Sequence, residues 1–412
     1  MGRLRRADRR QLPGVRIMRT VEEHQRIVAG LIKARDPQCV PIADALGLVL
    51  ASDVVAPLSL PGFDNSAMDG YAVVAEDIAC ATADTPVLLP VAEDIPAGRT
   101  DALTLKAGTA HRIMTGAPVP AGATAVIPVE ATDGATDTVT IRAAARPGQH
   151  IRRAGEDVTA GTTVLHAGQM VTPAALGLAA ALGLSELTVI PPQRVMVMST
   201  GTELVKPGTP LQPGQIYESN AVMLSAAVRD AGAQVISSPM SHDDVDNFRA
   251  VLAEHARDID LIITTGGVSA GAYEVVKDAL AKQVDFVKVA MQPGMPQGSG
   301  VVGTTPIITL PGNPVSALVS FEVFVRAPLR AAMGHPEPER PKLTATLTEP
   351  LTSPAGKRQF RRGVLTGDTV TSYGPPASHH LRWLASANCL LEIGEDVTEV
   401  PAGTSVQVWD LS

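Results

Sequence analysis

The stretch from residue 194 to residue 329 constrains the fold most, because continuous apolar runs alternate there with amphipathic segments. The run 194–198 ends in Ser199-Thr200-Gly201-Thr202-Glu203-Leu204, and 220–231 follows as a helix. A strand over 233–237 precedes a helix over 245–255 and a strand over 260–264 that ends in Thr-Gly-Gly. A helix over 274–280, a strand over 306–310 ending in Pro-Gly-Asn-Pro and a helix over 315–329 complete the series. Unbroken apolar strands alternating with helices predict an α/β unit, 191–336, whose parallel sheet is covered on both faces.

The other segments read differently. A chain of 412 residues exceeds one ordinary core, so two to four domains are expected. Ordered structure is expected from Thr20, with a helix over 21–34 and a short one over 42–48. Between 58 and 146, short apolar runs at 86–91, 125–129 and 138–141 sit between Gly and Pro turns, the mark of a β-rich module. Thr172 before Pro173 is an N-cap followed by proline at the first helical position, and that helix stops at Gly183. Beyond residue 337 the runs 343–347, 360–365, 389–393 and 405–409 suggest a small β-barrel or sandwich. With aromatics at 3%, these cores are expected to be Ala, Val, Leu and Ile.

Composition excludes several classes. The net charge of −8 argues against broad nucleic-acid binding. No apolar run of about 20 residues offers a membrane span. Cys39, Cys80 and Cys389 lie far apart, forming neither a zinc motif nor a disulfide framework, so a reduced cytoplasmic setting is expected. Residues 1–19 carry seven arginines but no apolar stretch, which reads as a disordered basic tail and not a secretory signal.

In an open parallel sheet, ligands bind beyond the carboxyl ends of the strands. Three loops are expected there: Ser199–Glu203, Thr264-Thr265-Gly266-Gly267-Val268-Ser269, and Leu310-Pro311-Gly312-Asn313-Pro314. The first offers hydroxyls and a carboxylate. The second offers paired glycines that let backbone N–H groups approach an anion. The third is a turn held by two prolines. Each alone reads as a structural turn; three at successive strand ends read as a site. Neither a P-loop GxxxxGK[ST] nor a GxGxxG fingerprint is present. In the β-rich module, Phe63-Asp64-Asn65-Ser66-Ala67-Met68-Asp69-Gly70 is an acidic turn. It suits either a hard cation held by oxygen ligands or a network of Asx turns.

These segments resemble the molybdopterin molybdenumtransferase family, called MoeA in bacteria and the E-domain of gephyrin in animals. The matching stretches are LPGFDNSAMDGYAV (60–73), RIMTGAPVPAGATAVIPVE (112–130), IRRAGEDVTAG (151–161), STGTEL (199–204), GQIYESN (214–220), TTGGVSAG (264–271) and LPGNPVSAL (310–318), in colinear order. The resemblance implies four domains: a discontinuous elongated domain (20–57 and 147–190), a β-rich domain (58–146), the molybdopterin-binding α/β domain (191–336) and a C-terminal β-barrel (337–412). It implies a homodimer with a cleft between the third domain of one subunit and the second of the other. It implies insertion of molybdate into adenylyl-molybdopterin with release of AMP, assisted by Mg²⁺ or Zn²⁺.

Carried over by position, Asp69, Glu203, Asp243 and Glu274 are the expected metal-holding acids, with Asp157 and Thr115 completing the catalytic set. Thr265, Gly266, Gly267, Ser269, Pro311, Gly312, Asn313 and Pro314 are the expected pterin and phosphate residues. Lys288, Arg362 and Ser378 are the expected molybdate residues. Other synthesis proteins and apo-molybdoenzymes are the expected partners. The chain departs from the family where Gln292-Pro293-Gly294-Met295-Pro296 replaces a segment like KPGKP, removing two lysines. Thr202 stands where many members have Asp, and Glu274 where Asp is usual. These departures leave open a paralogue that carries or scaffolds molybdopterin, or that inserts tungstate. A pyrophosphate hydrolase on the same α/β domain would predict an isolated 191–336 unit.

Overall fold

The computed structural model describes residues 18–255, 258–267 and 275–412, so the basic tail before residue 18 lies outside the described residues. The chain forms two compact units, one of Cys39–Leu187 and one of the residues up to Gln38 with Thr188–Ser412. Among the described residues no helix is long and apolar enough to cross a membrane.

The larger unit is built on a sheet in the order Gln234–Ser237, Arg194–Thr200, Leu261–Thr265, Thr305–Leu310, Pro296–Val302, Val284–Lys288. The first four strands run parallel. The last two are joined antiparallel and extend the expected parallel core. The alternation of side chains explains why the runs are continuously apolar. Val195, Val197, Leu261, Ile263 and Ile308 face one layer with Leu224, Val228, Phe321 and Phe324. Met196, Met198, Ile262 and Ile307 face the other with Phe248, Leu252, Val276 and Leu280. The strand Pro296–Val302 is hidden in a glycine-rich sequence because its neighbours press close. A Cβ on Gly298 would lie 2.1 Å from Thr309 Oγ1.

The helix Val21–Leu31 belongs to this unit, ending three residues before the expected residue 34. Thr20 caps it by accepting the Glu23 N–H at 3.1 Å. Val21 and Val28 join the α/β core. The expected helix 315–329 is helical as Pro314–Ser320, a π-helical turn Phe321–Arg326, and Ala327–Ala332.

After the sheet, Lys342–Leu347, Arg358–Thr366, Thr369–Ser372, Cys389–Ile393 and Ser405–Asp410 close into a five-stranded barrel, because Arg358–Thr366 pairs on both sides. Met291 and Gln292 pair in parallel with Arg358 and Gln359, tying the barrel to the sheet. Phe360, Leu390 and Trp409 complete that bond by entering the α/β core.

The smaller unit centres on a sheet of Ala125–Pro128, Gly70–Val73, Ala110–Ile113, Val87–Ile95 and Thr138–Ile141. Tyr71, Val73, Ile127, Val139 and Ile141 pack on one side, and Ala72, Ile95, Ile113 and Val126 on the other. The helix Pro173–Ala181 is capped by Thr172, which accepts the Ala175 N–H at 3.2 Å. The expected helix over 42–48 is a 3₁₀ turn, Ile42–Asp44.

Candidate functional site

The parallel strands Arg194–Thr200, Leu261–Thr265 and Thr305–Leu310 are adjacent, so their carboxyl-end loops form one edge. Thr265 is buried, with its side-chain hydroxyl donating to the Pro311 carbonyl at 3.2 Å. Gly266 takes φ +97° and lies so close to the first loop that a Cβ there would stand 2.7 Å from the Thr200 carbonyl oxygen. A Cβ on Gly312 would meet the Gly266 Cα at 3.4 Å. Backbone approach at this edge therefore depends on glycine. The Gly266 N–H points back, donating to the Leu310 carbonyl at 3.3 Å. Pro311 is buried, while Gly312 and Asn313 are exposed, and Pro314 opens the Pro314–Ser320 helix.

Two carboxylates stand over this edge. The Glu203 oxygens fold back to 2.8 and 2.9 Å from the position a Gly201 Cβ would take. Asp243 Oδ2 accepts the Thr202 N–H at 3.1 Å and its hydroxyl at 3.4 Å, and the Asp243 N–H donates to Thr202 Oγ1 at 3.2 Å. Thr202 thus orients Asp243 without adding charge. Both carboxylates are exposed.

The expected molybdate residues divide. Lys288 is exposed at the carboxyl end of Val284–Lys288. Its carbonyl accepts the Arg19 N–H at 2.9 Å. The Ser378 carbonyl accepts the Val315 N–H at 3.1 Å, which places Ser378 beside the helix that follows Pro314. Arg362 is only 4% exposed. It donates to the carbonyls of Pro375, Ala377 and His380. It therefore shapes the 375–380 loop that carries Ser378. Gln292 accepts the Gln359 amide at 3.3 Å, so a neutral amide pair stands where the family carries a lysine.

In the smaller unit, Asp69 Oδ1 accepts the Thr115 N–H at 2.6 Å and the Thr115 hydroxyl at 2.7 Å. The backbone bond first, then the hydroxyl, holds the Asp69 carboxyl below the usual carboxylate range. Asp64 accepts the Ala154 N–H at 2.8 Å and the Arg153 guanidinium at 2.5 Å. Ser66 is buried and its hydroxyl bonds the Met68 carbonyl at 2.5 Å. Of the two readings of this acidic turn, the bonded network accounts for Asp64, while Asp69 remains an exposed carboxylate. Asp157 is exposed, and its N–H donates to the Leu60 carbonyl at 3.0 Å. Ser269 and Glu274 lie outside the described residues.

Glu218 and Asn220 have no role in the sequence reading. Their signal lies in GQIYESN, where an acid and an amide flank the start of a helix.

Three family profiles match successive parts of the chain. The MoeA N-terminal region (domain I and II) matches residues 19–183, a probable molybdopterin-binding domain matches 196–331, and the MoeA C-terminal region (domain IV) matches 344–411. The chain is 69% identical over 405 residues to molybdopterin molybdenumtransferase 2 of Mycobacterium tuberculosis, covering 96% of this chain and 100% of that protein. The chain belongs to the MoeA family. A MoeA relative from Haemophilus influenzae, a molybdopterin molybdenumtransferase, is 35% identical over 376 residues, covering 89% of this chain and 92% of its own. The crystal structure of a molybdopterin biosynthesis MoeA protein from Pyrococcus horikoshii superposes with a TM-score of 0.82 at 30% identity, covering 96% of this chain and 100% of that one. The MoeA profiles match the segments on both sides of the α/β domain, which removes the isolated α/β hydrolase as a reading.

Proposed function

We propose that this chain is a molybdopterin molybdenumtransferase, inserting molybdate into adenylyl-molybdopterin as AMP leaves. The observation that carries the reading is the packing of Gly266 against both Thr200 and Gly312, which draws three strand-end loops into one backbone surface under Glu203 and Asp243. Such a surface suits a pyrophosphate: backbone groups bond its oxygens, and the carboxylates suit a cation that neutralises it.

Mg²⁺ is commonly held by one or two carboxylates together with substrate phosphates, and the oxygen donors of Glu203 and Asp243 fit that pattern. Zn²⁺ usually takes three or four protein ligands, and among the described residues no group of three His, Cys, Asp or Glu is placed to hold a metal. When bound, Mg²⁺ would supply charge neutralisation at the phosphate bond that breaks. Asp69, Asp157 and Glu274 belong to the catalytic set in this reading, with Thr115 fixing the Asp69 carboxylate. Thr265, Gly267 and Ser269 contact the phosphate end. Pro311 to Pro314 shape the pterin side. Lys288 and Ser378 receive the molybdate dianion, and Arg362 holds the Ser378 loop. Catalysis in this reading is orientation and charge placement.

The four-domain division, homodimer and cytoplasmic location belong to the same reading, as do contacts with other synthesis proteins and apo-molybdoenzymes. One observation favours a second reading. The Gln292–Gln359 pair and Met295 supply no positive charge beside the barrel junction, which suits a weaker oxyanion site, hence a carrier or a tungstate-handling paralogue. Asp243→Asn and Glu203→Gln separate the readings. Under the insertase reading each lowers metal insertion on the order of a hundredfold, with thermal unfolding unchanged because both groups are exposed. Full activity in both variants would remove the acidic set from the mechanism.

A further inference from the structure

The segment 218–220 has none of the roles assigned above, yet it reaches all three strand-end loops. Glu218 is 4% exposed. Its Oε1 accepts the Ser199 hydroxyl at 2.8 Å and the Ala221 N–H at 2.6 Å. It thereby joins the end of the Arg194–Thr200 strand to the start of the Asn220–Asp230 helix. Asn220 Nδ2 donates to Thr265 Oγ1 at 2.9 Å and to the Gly312 carbonyl at 2.6 Å. Thr265 passes the chain on, donating to the Pro311 carbonyl at 3.2 Å. The amide orientation is enforced by chemistry. With nitrogen and oxygen exchanged, Asn220 would set an acceptor against the Gly312 carbonyl, itself only an acceptor.

We propose that Asn220 is a positioning residue for the insertion reaction, its amide fixing the gap between the Thr265–Gly267 backbone and the Pro311–Gly312 turn. This rests on the proposed function, in which those two edges hold the phosphate end of the substrate. Gly266 and Gly312 bring no side chains to the gap, so beside the Thr265–Pro311 bond the brace comes from a third element. An error of about an ångström in such placement costs about a hundredfold in rate.

The test compares Asn220→Ala and Asn220→Asp with Ser225→Ala, a control on the same helix whose buried hydroxyl has no hydrogen-bond partner among the described residues. AMP release from adenylyl-molybdopterin with molybdate and Mg²⁺ is followed at varied substrate. Asn220→Ala is expected to lose about a hundredfold in kcat with KM within about threefold, and to melt close to the Ser225→Ala protein. In Asn220→Asp the ionised carboxylate repels the Gly312 carbonyl, whereas the protonated acid recovers one donor. An ordinary Asp carboxyl stays ionised at neutral pH, so Asn220→Asp is expected to be at least as slow as Asn220→Ala. A parent-like kcat in Asn220→Ala or in Asn220→Asp overturns the proposal. Amide exchange is read in parallel and needs no turnover. The Gly266, Gly267 and Gly312 amides should exchange about tenfold faster in Asn220→Ala; unchanged exchange overturns the positioning role. Absence of AMP release by the parent protein would count against the proposed reaction, and exchange would still decide the role of Asn220.

Discussion

The strand-end edge of the α/β sheet and the Asp64–Gly70 turn of the smaller unit carry similar groups but differ in what lies beneath them. At the sheet edge, buried side chains such as Ser199, Glu218 and Thr265 brace the backbone from beneath, and of the two exposed carboxylates Asp243 is oriented by the Thr202 N–H and hydroxyl. In the acidic turn, backbone N–H groups grip the carboxylates themselves: Thr115 on Asp69, Ala154 on Asp64. The first arrangement fixes a backbone surface from beneath as well as one of its charges. The second fixes charges alone. Damage to the backbone packing of the sheet edge should therefore reach both stability and activity, whereas damage to the turn should show mainly in the ionisation of one group.

The largest contrast is expected from Gly266→Val. Its Cβ would stand 2.7 Å from the Thr200 carbonyl oxygen, at φ +97°. A cost of about 2 kcal/mol or more in stability and on the order of a hundredfold in AMP release is expected, read by denaturant unfolding and initial rates. A Gly266→Val protein with parental stability would break the claim that this edge is braced backbone.

A second expectation concerns acid. His24 is fully buried against Phe324, with ring centroids 4.7 Å apart. Burial first, then the Arg19 guanidinium, pulls its pKa from about 6.5 down to about 4. The folded state then binds fewer protons than the unfolded state between those values. The stability this neutral histidine contributes is complete above about 6.5 and is lost as pH falls through about 4, a change of about 3 kcal/mol. Stability of the larger unit against pH should show this loss, and His24→Leu should remove it. An identical profile in His24→Leu would assign the acid sensitivity elsewhere.

The smallest effect is expected in the other region. Thr115→Val deletes the hydroxyl bond to Asp69 but keeps the backbone one. The Asp69 pKa should rise part-way towards the ordinary carboxylate value in an NMR titration, with no change in unfolding, since the group is exposed. An unmoved pKa would mean that the Thr115 N–H alone sets the ionisation.

These two regions also differ in how far the sequence reveals them. The sheet strands were legible because burial on both faces leaves no polar position in 194–198 beyond Arg194 at its start. The strand Pro296–Val302 was not, because Gly298 and Gly300 replace side chains where neighbouring strands press in. The three loops were legible as punctuation after strands. The brace beneath them was not, because Glu218 and Asn220 act through contacts with residues up to 92 positions away. At Arg362 the sequence shows a cation but not its bonds to the carbonyls of Pro375, Ala377 and His380. In the acidic turn, spacing left a cation and an Asx network equally open, and only the bonds of Asp64 to Arg153 and Ala154 separated Asp64 from Asp69.

The most direct measurement is insertion in vitro with the whole protein. Adenylyl-molybdopterin, molybdate and Mg²⁺ are supplied, AMP release is recorded, and an apo-molybdoenzyme reports mature cofactor, with tungstate run in parallel. AMP release that depends on molybdate and matches the molybdoenzyme activated is the predicted result. Tight binding of adenylyl-molybdopterin with neither AMP nor active molybdoenzyme would contradict it and make the chain a carrier, with Gln292 and Met295 the first positions to restore to lysine.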